Sequence, residues 1–361
     1  MSRSGLARLR DPELLRIVIT ADPYLPVPPV HYGGIERVID SLVRGLVARG
    51  HTVTLVAHPA SQTPATLVPY GSGTHWSRAE RATELAQVGR ALWSRRTRTD
   101  VVHSFGRLAA VLPVLGRAAL GKVQTYQRDE IPWRSCSAAL RLAGETMRFT
   151  ACGTHMWAQP ANAHRDRWST VFNGVELARY PFVARVADDA PLVFLGRLDR
   201  IKGAHHAIAV ARASGRRLVI AGPRADAGDE RAHFDREIAP HVDGRDVTWI
   251  GPVDDAGKAA LLGGAAALLM LVDWDEPFGI VMAEALACGT PIIGFARGSV
   301  PEVVRDGVTG FVCRDETDAT AAVGRLATLD RAAARADCEQ RFNAESIVSQ
   351  YEALYHAVRR P

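Results

Sequence analysis

Short β-branched runs alternate with amphipathic helical stretches along almost the whole chain, and the alternation stops once and restarts. Leu15–Thr20 reads as a strand, followed by a Pro-rich loop from Ala21 to Gly34. Ile35, Val38, Ile39, Leu42, Val43, Leu46 and Val47 then recur at helical spacing up to Gly50, and Val53–Ala57 reads as the next strand. Strand, loop, helix, strand is a βαβ unit, which requires parallel strands and a right-handed crossover. Further strand signals stand at Val101–His103, Val123–Tyr126, Phe149–Cys152 and Val171–Phe172. Residues 176–190 lose the period; it resumes at Pro191–Gly196 and runs through Arg217–Ala221, Val247–Ile250, Ala267–Val272 and Pro291–Gly294. The expectation is an α/β protein of two doubly wound parallel-sheet domains, 1–176 and 177–342, facing across a cleft. Such sheets bind ligands beyond the carboxyl ends of their strands, and a cleft between two of them is a natural ligand site.

Composition narrows the partners. Lys plus Arg is 44 and Asp plus Glu is 39, a formal charge of +5 spread along 361 residues. That is too weak to imply a nucleic-acid binder, but nucleotides and diphosphates need only a few local cations. Five scattered cysteines without a CxxC pair exclude a disulfide framework or a Cys-rich zinc site, and point to a reducing compartment. No apolar run approaches the roughly 20 residues of a membrane span, and the N-terminus lacks an apolar signal core. A cytoplasmic protein is expected, with the Arg-rich stretch Arg3–Arg16 leaving room for peripheral contact with an anionic membrane face.

Three stretches carry residues suited to chemistry. In Tyr32-Gly-Gly-Ile-Glu-Arg37, Gly33 and Gly34 join a strand to a helix, so backbone N–H groups can approach an anion closely. A tight turn explains the glycines equally well, and the missing GxGxxG counts against a nicotinamide dinucleotide. In Gly196-Arg-Leu-Asp-Arg-Ile-Lys-Gly203, Arg197 and Lys202 leave the strand that opens the second half. Arginine grips phosphate through two N–H groups and lysine adds a point charge, so the pair could neutralise a diphosphate as its bond to carbon breaks. A solvated basic loop is the competing interpretation. In Asp275-Glu-Pro-Phe-Gly-Ile-Val-Met-Ala-Glu284, Glu276 stands at a strand-to-helix turn and Glu284 follows eight residues later. Eight steps of about 100° bring the two acids to roughly one face. A carboxylate accepts two hydroxyl hydrogen bonds from a diol, and the N–H groups of Phe278, Gly279 and Ile280 add donors. The flanking residues are apolar, so an acid there needs a partner.

These motifs resemble the retaining family-4 glycosyltransferases, which have the two-Rossmann GT-B fold. The resemblance rests on YGGIERV, FNGV at 172–175, FLGRLDRIKG at 194–203, VIAGP at 219–223, WIGPV at 249–253, EPFGIVMAE at 276–284, ACGTPIIG at 287–294 and GSVPEVVRDGVTGFV at 298–312. It implies a nucleotide-diphosphate sugar as donor, with no cofactor and no metal. Arg197 and Lys202 would hold the diphosphate, Glu284 the ribose, Glu276 with Phe278 and Gly279 the sugar, and Ile250 and Gly251 would frame the base. Gly33 and Gly34 would approach from the first domain, and a helix near 343–361 would cross back onto that domain. Many relatives carry an HxH pair after the strand at Val101–His103; here the first histidine is His103 and Phe105 stands at the second position. His103 is therefore a candidate catalytic contact or a strand-end structural residue. Arg128, in a charged loop, is a candidate acceptor contact. Asp273-Trp-Asp275 as a metal motif and His205-His206 as a chelating pair are disfavoured, the latter because adjacent helical residues diverge by about 100°. A catalytically silent nucleotide-sugar binder and a sugar-nucleotide epimerase are the alternatives; the acceptor, whether lipid, polysaccharide or small natural product, is unreadable.

Overall fold

The computed structural model describes residues 14–29, 33–71 and 77–359. It contains two parallel sheets. The first has seven strands, β1 (Arg16–Thr20), β2 (Thr52–Ala57), β3 (Thr66–Pro69), β4 (Val101–Ser104), β5 (Gly121–Tyr126), β6 (Met147–Ala151) and β7 (Trp168–Thr170), in the order β3-β2-β1-β4-β5-β6-β7. The second has six, β8 (Leu192–Leu195), β9 (Leu218–Ala221), β10 (Val247–Trp249), β11 (Ala267–Met270), β12 (Ile292–Phe295) and β13 (Gly310–Cys313), in the order β10-β9-β8-β11-β12-β13. Helices α1 (Gly34–Ala48), α2 (Arg78–Arg95), α3 (Trp133–Ala143) and α4 (Thr154–Trp157) serve the first sheet. Helices α5 (Ala204–Ser214), α6 (Gly228–His233), α7 (Asp255–Gly263), α8 (Ile280–Ala287), α9 (Val300–Val303) and α10 (Glu316–Val323) serve the second. Two more, α11 (Arg331–Arg341) and α12 (Ala344–Val358), complete the chain.

Central strands β4, β11 and β12 are buried at every residue, as expected of parallel strands covered on both faces, which explains their continuous apolar runs. Helix α1 buries Val38, Ile39, Leu42, Val43 and Leu46, the set whose spacing marked it. Helix α12 packs on the first domain. Its backbone returns through a bridge between Val175 and Asn343, and a Cβ at Gly45 would lie 2.6 Å from Val348 Cγ2, so α1 and α12 meet backbone to side chain. Tyr351 and Tyr355 of α12 are fully buried, each worth about 1.5–3 kcal/mol by area. Two strands went unread in the sequence, β3 and β13, both at sheet edges, and Val171–Phe172 lies just past β7. Among the described residues no helix is long and apolar enough to cross a membrane.

Both sheets reverse strand order at one point, between β1 and β4 in the first and between β8 and β11 in the second. The loops after β1 and β4 carry Asp22, Gly33, Gly34 and Arg107; those after β8 and β11 carry Arg197, Lys202, Asp273 and Glu276. The candidate residues thus gather at the two crevices where doubly wound sheets bind ligands.

Candidate active site

The second-domain wall is built around Glu276. Its carboxylate Oε2 accepts from Lys202 Nζ at 2.6 Å and from the Trp274 indole N–H at 3.0 Å. Lys202 lies over the same indole, 4.6 Å from the ring centroid, so one aromatic plate sets both charges. Glu276 is buried, and the Lys202 ammonium still has donors beyond the one on Glu276. Arg197 stands nearby on the same loop, half exposed, with its guanidinium 2.8 Å from Asp199.

The backbone bearing Glu276 is clamped from behind. Gly298 has φ +54°, and a Cβ there would sit 2.3 Å from the Glu276 nitrogen. Ser299 donates its N–H to Glu276 O and its hydroxyl to Phe278 O, both at 2.9 Å. Phe278 is buried against Phe172 and Phe342. Gly279 caps α8 with φ +66°, so Ile280 opens the helix. This corrects the shared-face expectation: Glu276 precedes the cap, and a left-handed turn separates it from Glu284. The two acids face different partners.

Glu284 is buried within α8 and accepts on Oε1 from Tyr180 OH at 2.6 Å and from Lys258 Nζ at 2.5 Å. Lys258 lies 3.5 Å from Asp255, which also receives Arg37 of α1 at 2.7 Å. A chain of charges therefore runs from the first domain through α7 to Glu284. A groove along it is lined by Arg37, Ser41, Gly174, Tyr180, Ile280 and Glu284. Ile250 is exposed, and Gly251 beyond β10 has nothing within 4 Å of a would-be Cβ, so this edge of the crevice is open.

Across the cleft, Gly34 also has nothing within 4 Å of a would-be Cβ, whereas Gly33 abuts Pro29 at 2.7 Å. Neither glycine has a left-handed backbone, so φ does not account for them. Tyr32 lies outside the described residues. Asp22 is largely buried, and burial raises its carboxyl above the usual range against the pull of Arg107 and Arg128. Glu36 is raised by burial too, with Arg128 again opposing. Arg128 thus belongs to an acid–base group at the first switch point, beside a hollow lined by Asp22, Tyr24, Glu84 and Arg107.

His103 is not brought to the cleft. It is fully buried between β4 and α12, with Nδ1 2.6 Å from Tyr355 OH and Nε2 2.6 Å from Thr125 Oγ1. Phe105 is buried against it, ring centroids 4.3 Å apart. Burial drops the imidazole from 6.5 to about 3. Both ring nitrogens are committed, so the expected catalytic contact is corrected to a core histidine. His205 and His206, disfavoured in the sequence as a chelating pair, lie closer than adjacency on a helix suggests: their rings are 4.0 Å apart and both reach Asp273 Oδ2.

Trp274, Tyr180, Lys258 and Ser299 were missed in the sequence. Trp274 could have been found, since an aromatic two residues before the first motif acid is positioned to stack on a nearby cation. Tyr180 and Lys258 reach Glu284 from 104 and 26 residues away, and only the fold joins them.

Comparison with known proteins agrees with this fold. Residues 32–179 match the family profile described as Glycosyltransferase Family 4, and residues 181–341 that described as Glycosyl transferases group 1. A glycogen synthase of Mycobacterium tuberculosis is 26% identical over 96% of this chain and 95% of its own length. N-acetyl-alpha-D-glucosaminyl L-malate synthase of Bacillus anthracis is 33% identical over 33% of this chain and 32% of its own. Among solved structures, AviGT4, a glycosyltransferase involved in avilamycin A biosynthesis, superposes with a TM-score of 0.70 at 26% identity, covering 95% of this chain and 97% of that one. The Anabaena protein HepE, solved in complex with UDP-glucose, has a TM-score of 0.71 at 17% identity, covering 93% and 98%. Two profiles that meet between the two sheets, over a fold shared along nearly its whole length, establish that the chain belongs to the GT-B glycosyltransferases.

Proposed function

We propose that this protein transfers a sugar from a nucleoside diphosphate, UDP or GDP, to an acceptor hydroxyl with retention at the anomeric carbon. The observation that carries this reading is the Lys202–Trp274–Glu276 constellation: a buried acid and a cation fixed on one indole at a switch-point crevice. Lys202 and Arg197 bind the diphosphate. Glu276 and the N–H groups of Phe278, Gly279 and Ile280 grip the sugar. Glu284, oriented by Tyr180 and Lys258, takes the ribose diol, and Ile250 with Gly251 borders the base. Gly33 and Gly34 close over the phosphate from the first domain, and the acceptor enters beside Asp22, Arg107 and Arg128. That HepE is solved with UDP-glucose supports the choice of donor class.

The bond from the anomeric carbon to the phosphate oxygen breaks as the acceptor oxygen attacks the same face. The leaving phosphate takes the acceptor proton, and Arg197 and Lys202 stabilise the charge it gains, without a metal on the diphosphate. Catalysis is positioning plus charge stabilisation. Buried His103 makes no contact with the sugar in this step.

The test is an NMR time course of the purified protein with UDP- and GDP-sugars and a panel of acceptors. Product with the donor's anomeric configuration is expected. Inverted product overturns retention. Tight nucleotide binding without turnover points to a silent binder, and conversion of the donor sugar without acceptor to an epimerase.

A further inference from the structure

We propose that His205, His206 and Asp273 hold a divalent transition-metal ion of the zinc class, with Glu316 orienting His206. The proposed ion ties the loop that carries Lys202 to the strand end that carries Trp274 and Glu276. The importance of that tie rests on the donor reading above; the metal site itself does not.

The geometry fits a tetrahedral N/O site. Asp273 Oδ2 lies 3.0 Å from His206 Nε2 and 3.6 Å from His205 Nε2, and the three potential ligand atoms all fall within 4.8 Å of one another. Bonds of about 2.0–2.1 Å in a tetrahedron require ligand–ligand edges of roughly 3.3–3.4 Å, which the two separations bracket. Two imidazoles and one carboxylate favour zinc, cobalt or nickel over magnesium, which prefers oxygen. Side-chain exposures of 22% for His205, 20% for His206 and 36% for Asp273 leave the site open to an entering ion and a water as fourth ligand.

His206 supplies a second, independent argument. Its Nδ1 faces Glu316 Oε1 at 2.5 Å while its Nε2 faces Asp273 Oδ2 at 3.0 Å. A neutral imidazole has one N–H, so it cannot donate to both carboxylates. A metal on Nε2 resolves this. Nδ1–H then donates to Glu316, the carboxylate–histidine–metal arrangement that fixes the tautomer of a ligating histidine. The competing resolution is an imidazolium that bridges the two acids and binds no metal.

The placement gives the ion a task. Asp273 donates its N–H to Ile201 O at 2.9 Å, next to Lys202, and is followed by Trp274, whose indole serves both Lys202 and Glu276. His205 and His206 begin the helix that follows Gly203. The metal would cross-link the start of α5 to the loop after β11. The histidines are then positioning residues for the donor grip.

The experiment is calorimetric titration of chelator-dialysed full-length protein with zinc, repeated with cobalt followed by visible absorption. One equivalent of zinc should bind. Cobalt should give the strong d–d bands of a four-coordinate site. His206→Ala and Asp273→Asn should each weaken binding at least 100-fold, and Glu316→Gln about 10–100-fold, as loss of an outer-shell carboxylate does. Lys202→Ala should bind zinc like the wild type while losing turnover, so failure of the donor reading is told apart from failure of the metal site. Zinc should raise the melting temperature of the wild type but not of Asp273→Asn, a polar, partly exposed substitution that preserves the fold. Absence of saturable uptake at millimolar zinc, or uptake unchanged by both ligand substitutions, overturns the site and assigns the cluster to a bridging imidazolium.

Discussion

Lys202 at the cleft and His103 in the core show how differently two basic side chains on the same fold can serve. Lys202 is held within hydrogen-bond reach of Glu276 and above Trp274, so its ammonium is preorganised where a phosphate would gain charge. Lys202→Ala should lower kcat by about two to three decades, the usual cost of one lost donor to a developing anion. Arg197→Ala should act in the same direction. The check is steady-state turnover with saturating donor; near-normal turnover in both variants would remove them from the mechanism. His103 works only on stability. Its folded pKa, about 3, lies below the ordinary 6.5, so below pH 6.5 the unfolded chain binds a proton the folded chain refuses. Its contribution is complete above pH 6.5 and is lost as pH falls toward 3, by about 1.4 kcal/mol per pH unit. His103→Gln keeps a donor and an acceptor for Tyr355 and Thr125 but cannot titrate. Urea midpoints at pH 7, 6 and 5 should therefore converge between the two proteins as pH falls, the other histidines cancelling in the comparison.

At the scale of elements, the loop from Gly298 to Ser299 decides where Glu276 stands. A methyl group on Gly298 would meet the Glu276 backbone at 2.3–2.5 Å, and its φ of +54° disfavours any L side chain. Gly307 has a similar φ, +72°, with nothing within 4 Å. Gly307→Ala should cost only about 1 kcal/mol of backbone strain, whereas Gly298→Ala should cost more and raise the KM for donor, since relief requires moving Glu276. Thermal melts together with donor KM separate the two. The contrast also marks the limit of reading by sequence. The helical period of α1 and the apolar runs of β4, β11 and β12 are legible because burial on one face or on both imposes them. Strand β3 is not legible: its four residues are exposed or half-buried, so no apolar pattern is imposed on them. The same applies to the motif acids. The residues Glu276 and Glu284 are evident in the sequence, but their orientation is not, because a single left-handed glycine at 279 resets the helical phase between them. The choice between the two roles open to His103 is not legible for a related reason: a strand-end histidine faces either the cleft or the layer behind it, and here it meets Tyr355, some 250 residues away.

At the scale of the whole molecule, the polar ties between the two domains differ in strength. Arg37 and Asp255 span the cleft at 2.7 Å, but both are partly exposed, so the pair is worth about 0–1 kcal/mol and weakens with salt. Glu302 is the stronger tie. From α9 of the second domain it accepts the N–H groups of Thr154 and His155 at the start of α4, both at 2.7 Å, and the His155 ring at 2.9 Å. Burial alone would raise its carboxyl, yet these bonds hold it below the usual 4.5. The sign follows: the tie is complete above pH 4.5 and is lost as pH falls below it. Beside it the backbone of Gly153 packs on Pro277 O, so the same contact presses the first domain against the turn that bears Glu276. A second link is α12, joined to the chain at Val175 through the bridge to Asn343. Glu302→Ala should leave each domain folded, because its partners are backbone donors at an α4 terminus that water can satisfy once the cleft opens. It should increase the radius of gyration in small-angle scattering, raise the KM for donor more than it lowers kcat, and abolish the compaction otherwise lost on acidification through pH 4.5. Arg37→Ala should shift scattering only at low salt. A Glu302→Ala profile identical to wild type at neutral pH would transfer control of closure to α12 and the charge chain through Asp255.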